Sequence, residues 1–338
     1  MSQRPHIFVT QKVPQAAYEI LEEVGTLDAN QQDNLIWSAG ELLQRAPGHD
    51  YLYCLVTDTI DARLLEACAN ATPRLKLVAT MAVGFNNIDV NTASRLGIGV
   101  TNTPGILDET TADLAFALLL ATARRIGEAE RYLRAGKFTG WGPSLFCGAE
   151  VHHSTLGIIG AGRIGQSMAQ RAHGFDMQVL YYNRHRLARE EEEKYHLTYA
   201  SFNEVLQRAD FISLHTPYTP ETHHLINAQT LALMKPTAIL INTARGAVVD
   251  EQALAQALQA GQIAGAGLDV FEREPLVEEA LLRMEQVVLV PHIGSASQQT
   301  RTNMALMAAR NIAAHIRGIQ PPNLINPEVM RATKQAGE

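Results

Sequence analysis

Residues Thr155–Gln166 read TLGIIGAGRIGQ, an apolar run from Leu156 to Ile159, then three glycines spaced as Gly-x-Gly-x-x-Gly, then the start of an amphipathic stretch. A strand that ends in such a turn and opens a helix is the setting in which this spacing binds the pyrophosphate of a dinucleotide. Gly160 permits the tight turn, Gly162 lets backbone N–H groups approach the phosphates, and Gly165 lets the helix pack closely on the strand. Arg163 and Ile164 complete the loop. By itself the motif is weak, so its neighbours decide the reading.

Toward the C-terminus the apolar runs MQVLYY, FISLH, AILINTA, AGAGLDV and VVLVPH follow, separated by helical patterns such as RIGQSMAQRAHGF and EQALAQALQAG. Six strands alternating with helices predict a parallel, doubly wound sheet with ligands at the carboxyl ends of the strands. Toward the N-terminus IFVTQ, YLYCLVTD, LKLVATMAV and IGVTNTP repeat the rhythm, with helical IDARLLEACA and NTASRLG between the last three. A second α/β unit is therefore expected. LDETTADLAFALLLATARRI between the two series, apolar nearly all round from Leu114 to Leu120, predicts a helix buried between domains. The final helical stretch, SQQTRTNMALMAARNIAAHIRG, follows the last strand and can return to the first unit. The charged run Arg189 to Lys194 reads as a solvated helix face.

Composition narrows the partners. A chain of 338 residues, 46% apolar, is long enough for two cores. Its formal charge of -7 comes from scattered charges of both signs, with no basic block for nucleic acid, so the expected partner is a small molecule. The three cysteines, Cys54, Cys68 and Cys147, lack metal or redox spacing, and a reducing cytoplasm fits them. No apolar run is long enough for a bilayer, and no targeting or anchoring segment is expected. The doublets His152-His153 and His223-His224 lack the spacing that places two imidazoles on one helix face, so no metal is expected.

The end of the second strand of the dinucleotide series usually carries an acid that binds the adenosine ribose hydroxyls. Here it reads Tyr182-Asn183-Arg184-His185-Arg186. An acid would repel a 2′-phosphate, whereas Asn183 can donate a hydrogen bond to it and Arg184 or Arg186 can pair with it. NADP is favoured over NAD. Asn183 and Arg184 carry that expectation, with His185 and Arg186 as further contacts, while Arg189 is assigned to the surface.

Three later segments sit near strand ends: INTARG with Arg245, DVFEREP with Glu274, and VPHIGSAS with His292. Ketone reduction by a nicotinamide needs an acid to protonate the oxygen and a cation to hold a substrate carboxylate. His292 has the chemistry of the acid, and a hydrogen bond from its other nitrogen to Glu274 would favour the charged ring. Arg245 can grip a carboxylate bidentately and polarise the ketone. Each is weak alone among 12 histidines and many charges; the constellation is what counts.

GAGRIG, INTARG, DVFEREP and PHIGSAS, in this order, resemble the D-isomer-specific 2-hydroxyacid dehydrogenase family over nearly the whole chain. With VGFNNIDV, WGPSLFCG and RAHGFDMQVLYYNR, the chain is most similar to the NADPH-dependent glyoxylate/hydroxypyruvate reductases, the 2-ketogluconate reductases being close behind. The resemblance implies that Arg245, Glu274 and His292 are the catalytic trio. It implies that backbone amides of Val83 and Gly84 bind the substrate carboxylate, with the Leu55-Val56-Thr57 loop nearby. It adds Thr216, Pro217, Thr243, Ala244, Asp269, Gly294 and Ser295 to the cofactor contacts, Asp269 holding the nicotinamide carboxamide. It further implies a homodimer of two-domain subunits with a cleft between a Rossmann cofactor domain, 105–296, and a discontinuous flavodoxin-like substrate domain, 1–104 and 297–338. The expected reaction is reduction of glyoxylate or hydroxypyruvate with NADPH in preference to NADH. A 2-ketoaldonate reductase, and a nucleotide-sensing binding protein on the same fold, are the competing readings.

Overall fold

The computed structural model describes residues 4–33 and 35–330, and the chain divides into two units, one holding residues up to Leu107 and from Ala296 onward, the other Asp108–Ser295. In the first unit the strands are β1 (His6–Val9), β2 (Thr26–Ala29), β3 (Tyr51–Cys54), β4 (Leu77–Thr80) and β5 (Gly99–Thr101). Between them run helices α1 (Gln15–Val24), α2 (Ala39–Arg45), α3 (Ala62–Asn70) and α4 (Val90–Arg95). All pairings are parallel, in the order β2-β1-β3-β4-β5. β3 and β4 are buried at every position, as strands covered on both faces must be. β2 was not expected from the sequence, because TLDA carries no apolar run and alternates between exposed and half-buried at the sheet edge.

The second unit opens with α5 (Asp108–Ala123) and α6 (Ile126–Arg134). It continues through β6 (Thr155–Ile159), α7 (Arg163–His173), β7 (Gln178–Tyr182), α8 (Arg189–Lys194), β8 (Thr198–Tyr199), α9 (Phe202–Arg208) and β9 (Phe211–Leu214). α10 (Ala228–Leu231), β10 (Ile239–Asn242), α11 (Glu251–Gln259), β11 (Gly265–Leu268), α12 (Glu279–Leu282) and β12 (Val287–Leu289) complete it. Its seven parallel strands run β12-β11-β10-β9-β6-β7-β8, a Rossmann arrangement in which the order reverses between β6 and β9. The seventh strand, β8, is two residues long and leaves almost no mark in the sequence. α5 buries Ala112, Ala115, Leu118 and Leu119 and packs on α7, β10 and β11 of its own unit. Its Asp108 and Glu109 lie in the first turn, where acids complement the helix dipole.

The last helix, α13 (Gln298–Ile316), lies on α1, β3 and β4 of the first unit. Ala305, Ala308, Ala309 and Ile312 of α13 share a core with Ile7, Val9, Tyr18 and Leu21. The segment beyond it bonds back to β5, with Ile325 N–H donating to the Val100 carbonyl.

Candidate active site

The glycine turn after β6 is shaped by close approaches. Gly160 has φ +99°, and a Cβ there would stand 2.8 Å from the His215 carbonyl carbon. A Cβ on Gly165 would stand 2.5 Å from the Gly160 carbonyl oxygen, so α7 packs on β6 as only glycine permits. Gly162 meets nothing within 4 Å and is exposed, as is Arg163, while Ile164 is half-buried. The turn is therefore braced below and open above, where the first N–H groups of α7 lack intrahelical partners.

After β7 the basic side chains part ways. The Asn183 side-chain oxygen accepts from Ala161 N–H at 2.7 Å, tying this strand end to the glycine turn and leaving its amide NH2 to donate elsewhere. Arg184 and His185 are exposed, and Arg184 makes no ion pair among the described residues. Arg186 grips Glu192 with two hydrogen bonds of 2.8 Å and lies over the Tyr199 ring at 5.3 Å. Arg189 pairs with Glu193 one turn on, at the surface. Glu192 departs from the expectation of a solvated face: it is buried, accepts from the Tyr181 hydroxyl at 2.5 Å, and is held near a pKa of about 2 by Arg186 and then Tyr181.

Three of the buried side-chain atoms without a hydrogen-bond partner among the described residues lie at the neighbouring strand ends. Beyond β9, His215 Nδ1 and Thr216 Oγ1 are buried without a hydrogen-bond partner, and so is Thr243 Oγ1 beyond β10. Burial pushes His215 down to about 4, so its ring is neutral, and its Nε2 meets Ser213 Oγ at 2.9 Å. Pro217 is exposed and Ala244 buried beside them. Unsatisfied buried groups are uncommon in folded proteins and point to a missing partner. A polar ligand laid across the strand ends from the open glycine turn, as a dinucleotide lies, fits these residues.

Arg245, Glu274 and His292 lie beyond β10, β11 and β12 in turn. His292 Nδ1 lies 2.8 Å from a Glu274 carboxylate oxygen, and the other Glu274 oxygen accepts from Phe271 N–H at 3.0 Å. Burial works against the Glu274 charge, but the hydrogen bond and charge of His292, the Phe271 N–H and Arg245 outweigh it, and its pKa falls below the usual glutamate range. With Nδ1 facing a carboxylate, Nε2 is the nitrogen left to exchange a proton, on a side chain still 32% accessible. Arg245 is largely buried, which lowers its pKa against the opposing pull of Glu274. Its Nη1 donates to the Ala244 carbonyl at 2.6 Å.

The supports of these groups were not read from the sequence. Asn242, buried at the end of β10, accepts from Ala244 N–H and donates to the Arg245 carbonyl, both at 3.0 Å, which fixes the turn that presents Arg245. The Asp269 carboxylate accepts from Ile293 and Gly294 N–H at 2.5 and 2.8 Å and so clasps the turn carrying His292, whose φ is +52°. Burial raises the Asp269 pKa despite those bonds. Ser295 follows, half-buried. A buried polar residue ending an apolar strand, as in INTARG, was the available signal for Asn242.

In the first unit Leu55 follows β3, and Val83 and Gly84 follow β4, again at carboxyl ends. Asp58, buried, accepts from Leu55 N–H at 2.7 Å and from Thr10 Oγ1 at 2.5 Å. Asn87 donates to the carbonyls of Leu55 and Asp58, and Asn102 to that of Val83. Both loops are held by side chains that the motif reading passed over.

Comparison with known proteins gives one answer. The model of the D-isomer specific 2-hydroxyacid dehydrogenase NAD binding domain matches residues 116–294. A glyoxylate reductase of Thermococcus litoralis is 48% identical over 334 residues, covering 98% of this chain and 99% of its own. The crystal structure of a Thermus thermophilus protein superposes with a TM-score of 0.87 at 43% identity, covering 95% of this chain and 99% of that one. An NADPH-dependent glyoxylate/hydroxypyruvate reductase of Sinorhizobium meliloti, solved with NADP and malonate, superposes with a TM-score of 0.83 at 34% identity, covering 96% and 97%.

Proposed function

The chain belongs to the D-isomer specific 2-hydroxyacid dehydrogenase family, and on that premise we propose that it reduces glyoxylate, and also hydroxypyruvate, to the 2-hydroxy acid with NADPH as preferred reductant. The observation that carries the reading is the 2.8 Å bond between His292 Nδ1 and Glu274, beside Arg245. That arrangement leaves His292 Nε2 to give a proton to the ketone oxygen in reduction and to take it back in oxidation. Glu274 orients the ring. Arg245 binds the substrate carboxylate bidentately and draws charge from the ketone. Leu55, Val83 and Gly84 are the candidate substrate contacts of the first unit.

Gly160, Gly162, Arg163, Ile164 and Gly165 would hold the pyrophosphate of the cofactor. Thr216, Pro217, Thr243, Ala244, Asp269, Gly294 and Ser295 would line the rest of its course. When bound, the reduced nicotinamide supplies the hydride. Preference for NADPH is supported by the absence of an acid at Asn183, by the exposed Arg184 guanidinium without an ion pair among the described residues, and by the NADP found in the Sinorhizobium relative. Arg186 is a weaker candidate, because binding a phosphate would set it against Glu192.

A cytoplasmic homodimer is the form we propose. Ile126, Leu133, Phe138 and Trp141 are all exposed, Trp141 at 84%, and an apolar stretch of this kind on and after α6 favours a second copy as its cover. Light scattering at micromolar concentration checks it. The decisive experiment follows nicotinamide absorbance with glyoxylate, hydroxypyruvate and 2-ketogluconate, each with NADPH and NADH. Highest kcat/KM for glyoxylate or hydroxypyruvate with NADPH is expected. No turnover of any of the three sinks the enzymatic reading, and a preference for 2-ketogluconate replaces the substrate.

A further inference from the structure

We propose that His224, through Glu272, is a positioning residue for the candidate catalytic groups, locking the segment that bears Arg245 to the segment that bears Glu274. The proposal rests on the reading of Arg245, Glu274 and His292 given above. Neither His224 nor Glu272 belongs to that trio.

The two segments touch backbone to backbone. A Cβ on Gly246, the residue after Arg245, would stand 1.8 Å from the Phe271 carbonyl carbon and 2.3 Å from Glu272 N. That contact sets distance but makes no directional bond. His224 supplies one. Its backbone N–H donates to the Ala247 carbonyl at 2.9 Å, in the Arg245 segment. Its ring Nε2 lies 2.9 Å from Glu272, two residues before Glu274, and its Nδ1 faces Asp250 at 3.9 Å, at the start of α11. A chain of bonds therefore runs from the Arg245 segment at Ala247 through His224 to Glu272 and so to the Glu274 segment.

Other features hold the imidazole in that role. Asn227 donates to the His224 carbonyl at 2.9 Å, and the His223 ring stacks on it at 3.9 Å. His224 has φ +49°, a left-handed conformation unfavourable for a residue other than glycine, kept where surrounding bonds impose it. From the far side Glu251 accepts from Glu272 N–H at 2.6 Å and from Glu278 N–H at 3.4 Å, fixing the same segment on the first turn of α11. Glu272 is thus held at both ends, its N–H by Glu251 and its carboxylate by His224.

The test compares His224→Ala, His224→Gln and Glu272→Gln with the parent protein, using glyoxylate and NADPH. His224→Ala should lower kcat/KM for glyoxylate roughly 10- to 100-fold through both kcat and KM, with a smaller change in KM for NADPH, as a small misplacement of reacting groups does. His224→Gln, which keeps a donor near the place of Nε2, should recover most of the loss, and Glu272→Gln should fall between. Hydrogen exchange on the ligand-free proteins supplies a readout independent of turnover: His224→Ala should lose protection in 244–250 and 271–275 together. Unchanged kcat and KM in His224→Ala, an equal loss in His224→Gln, or unchanged exchange in both segments overturns the proposal. If the parent turns over no 2-oxo acid while both segments lose protection together, the clamp stands and the functional reading falls.

Discussion

After β7 the chain presents Arg184, His185 and Arg186 to solvent, and the one guanidinium of these that makes an ion pair among the described residues takes Glu192, a residue of the very next helix. After β10, β11 and β12 it presents Arg245, Glu274 and His292, each held by further groups: the Arg245 carbonyl by Asn242, a Glu274 oxygen by Phe271 N–H, and the His292 ring and turn by Glu274 and Asp269 from the neighbouring strand end. One side of the sheet carries an exposed basic surface and the other a braced polar network. The difference follows from the work proposed for each. A phosphate is a large, symmetric charge that any nearby cation attracts, so recognition tolerates mobile side chains. Proton transfer to one oxygen does not tolerate them.

His292→Ala tests the braced end most severely. It should lower kcat by roughly 10²- to 10⁴-fold, the range for loss of a general acid, with a much smaller change in KM. Retained turnover would move the proton donor elsewhere and dissolve the contrast. Arg245→Lys comes next, since a point charge cannot reproduce a bidentate fork: kcat/KM for glyoxylate should fall by about 10- to 100-fold, mostly through KM. A near-normal value would mean that the braced end is as tolerant as the basic one.

The loose end should respond less and without loss of chemistry. Asn183→Asp keeps an oxygen for Ala161 N–H and exchanges the amide NH2 for a second acceptor, so the substitution changes charge while sparing the turn. Combined with Arg184→Ala it should shift the NADPH to NADH ratio of kcat/KM about 10-fold or more toward NADH, with kcat on the preferred cofactor retained. An unchanged ratio would show that another group reads the phosphate.

The smallest effect concerns Glu192. Its folded pKa of about 2 lies below the ordinary value of 4.5, so it contributes stability that is fully present above about pH 4.5 and is lost as the pH falls toward 2. Glu192→Gln should flatten that part of the plot of Tm against pH. At neutral pH it should also free Arg186, lowering KM for NADPH by about twofold if that guanidinium then reaches the phosphate. A fall well beyond this would promote Arg186 from bystander to principal contact.

What the sequence disclosed tracks how local the cause is. The glycine turn was legible because its three constraints lie within six residues and recur wherever a helix starts on a strand. The buried strands were legible as apolar runs, whereas β2 and β8 depend on a neighbouring strand for their pairing. Arg245, Glu274 and His292 stood out by chemical type and position near strand ends. Their more remote supports, His224 and Glu272, are ordinary polar residues until the fold supplies partners, and Glu192 was submerged in a run of like charges. Choice among partners is a tertiary property, and periodicity carries no record of it.

The position of α13 has a consequence for the growing chain. The apolar side of α1 and β4 is covered by a helix synthesised only after the whole second unit, at ordinary rates of translation on the order of 10–40 s later. Throughout that interval Ile7, Val9, Tyr18 and Leu21 lack the Ala305, Ala308 and Ile312 side chains that complete their core. The strands and helix that open the first unit are thus synthesised well before the helix that completes their core. Protease resistance of the first unit should therefore arrive after that of the second in ribosome-bound chains of increasing length.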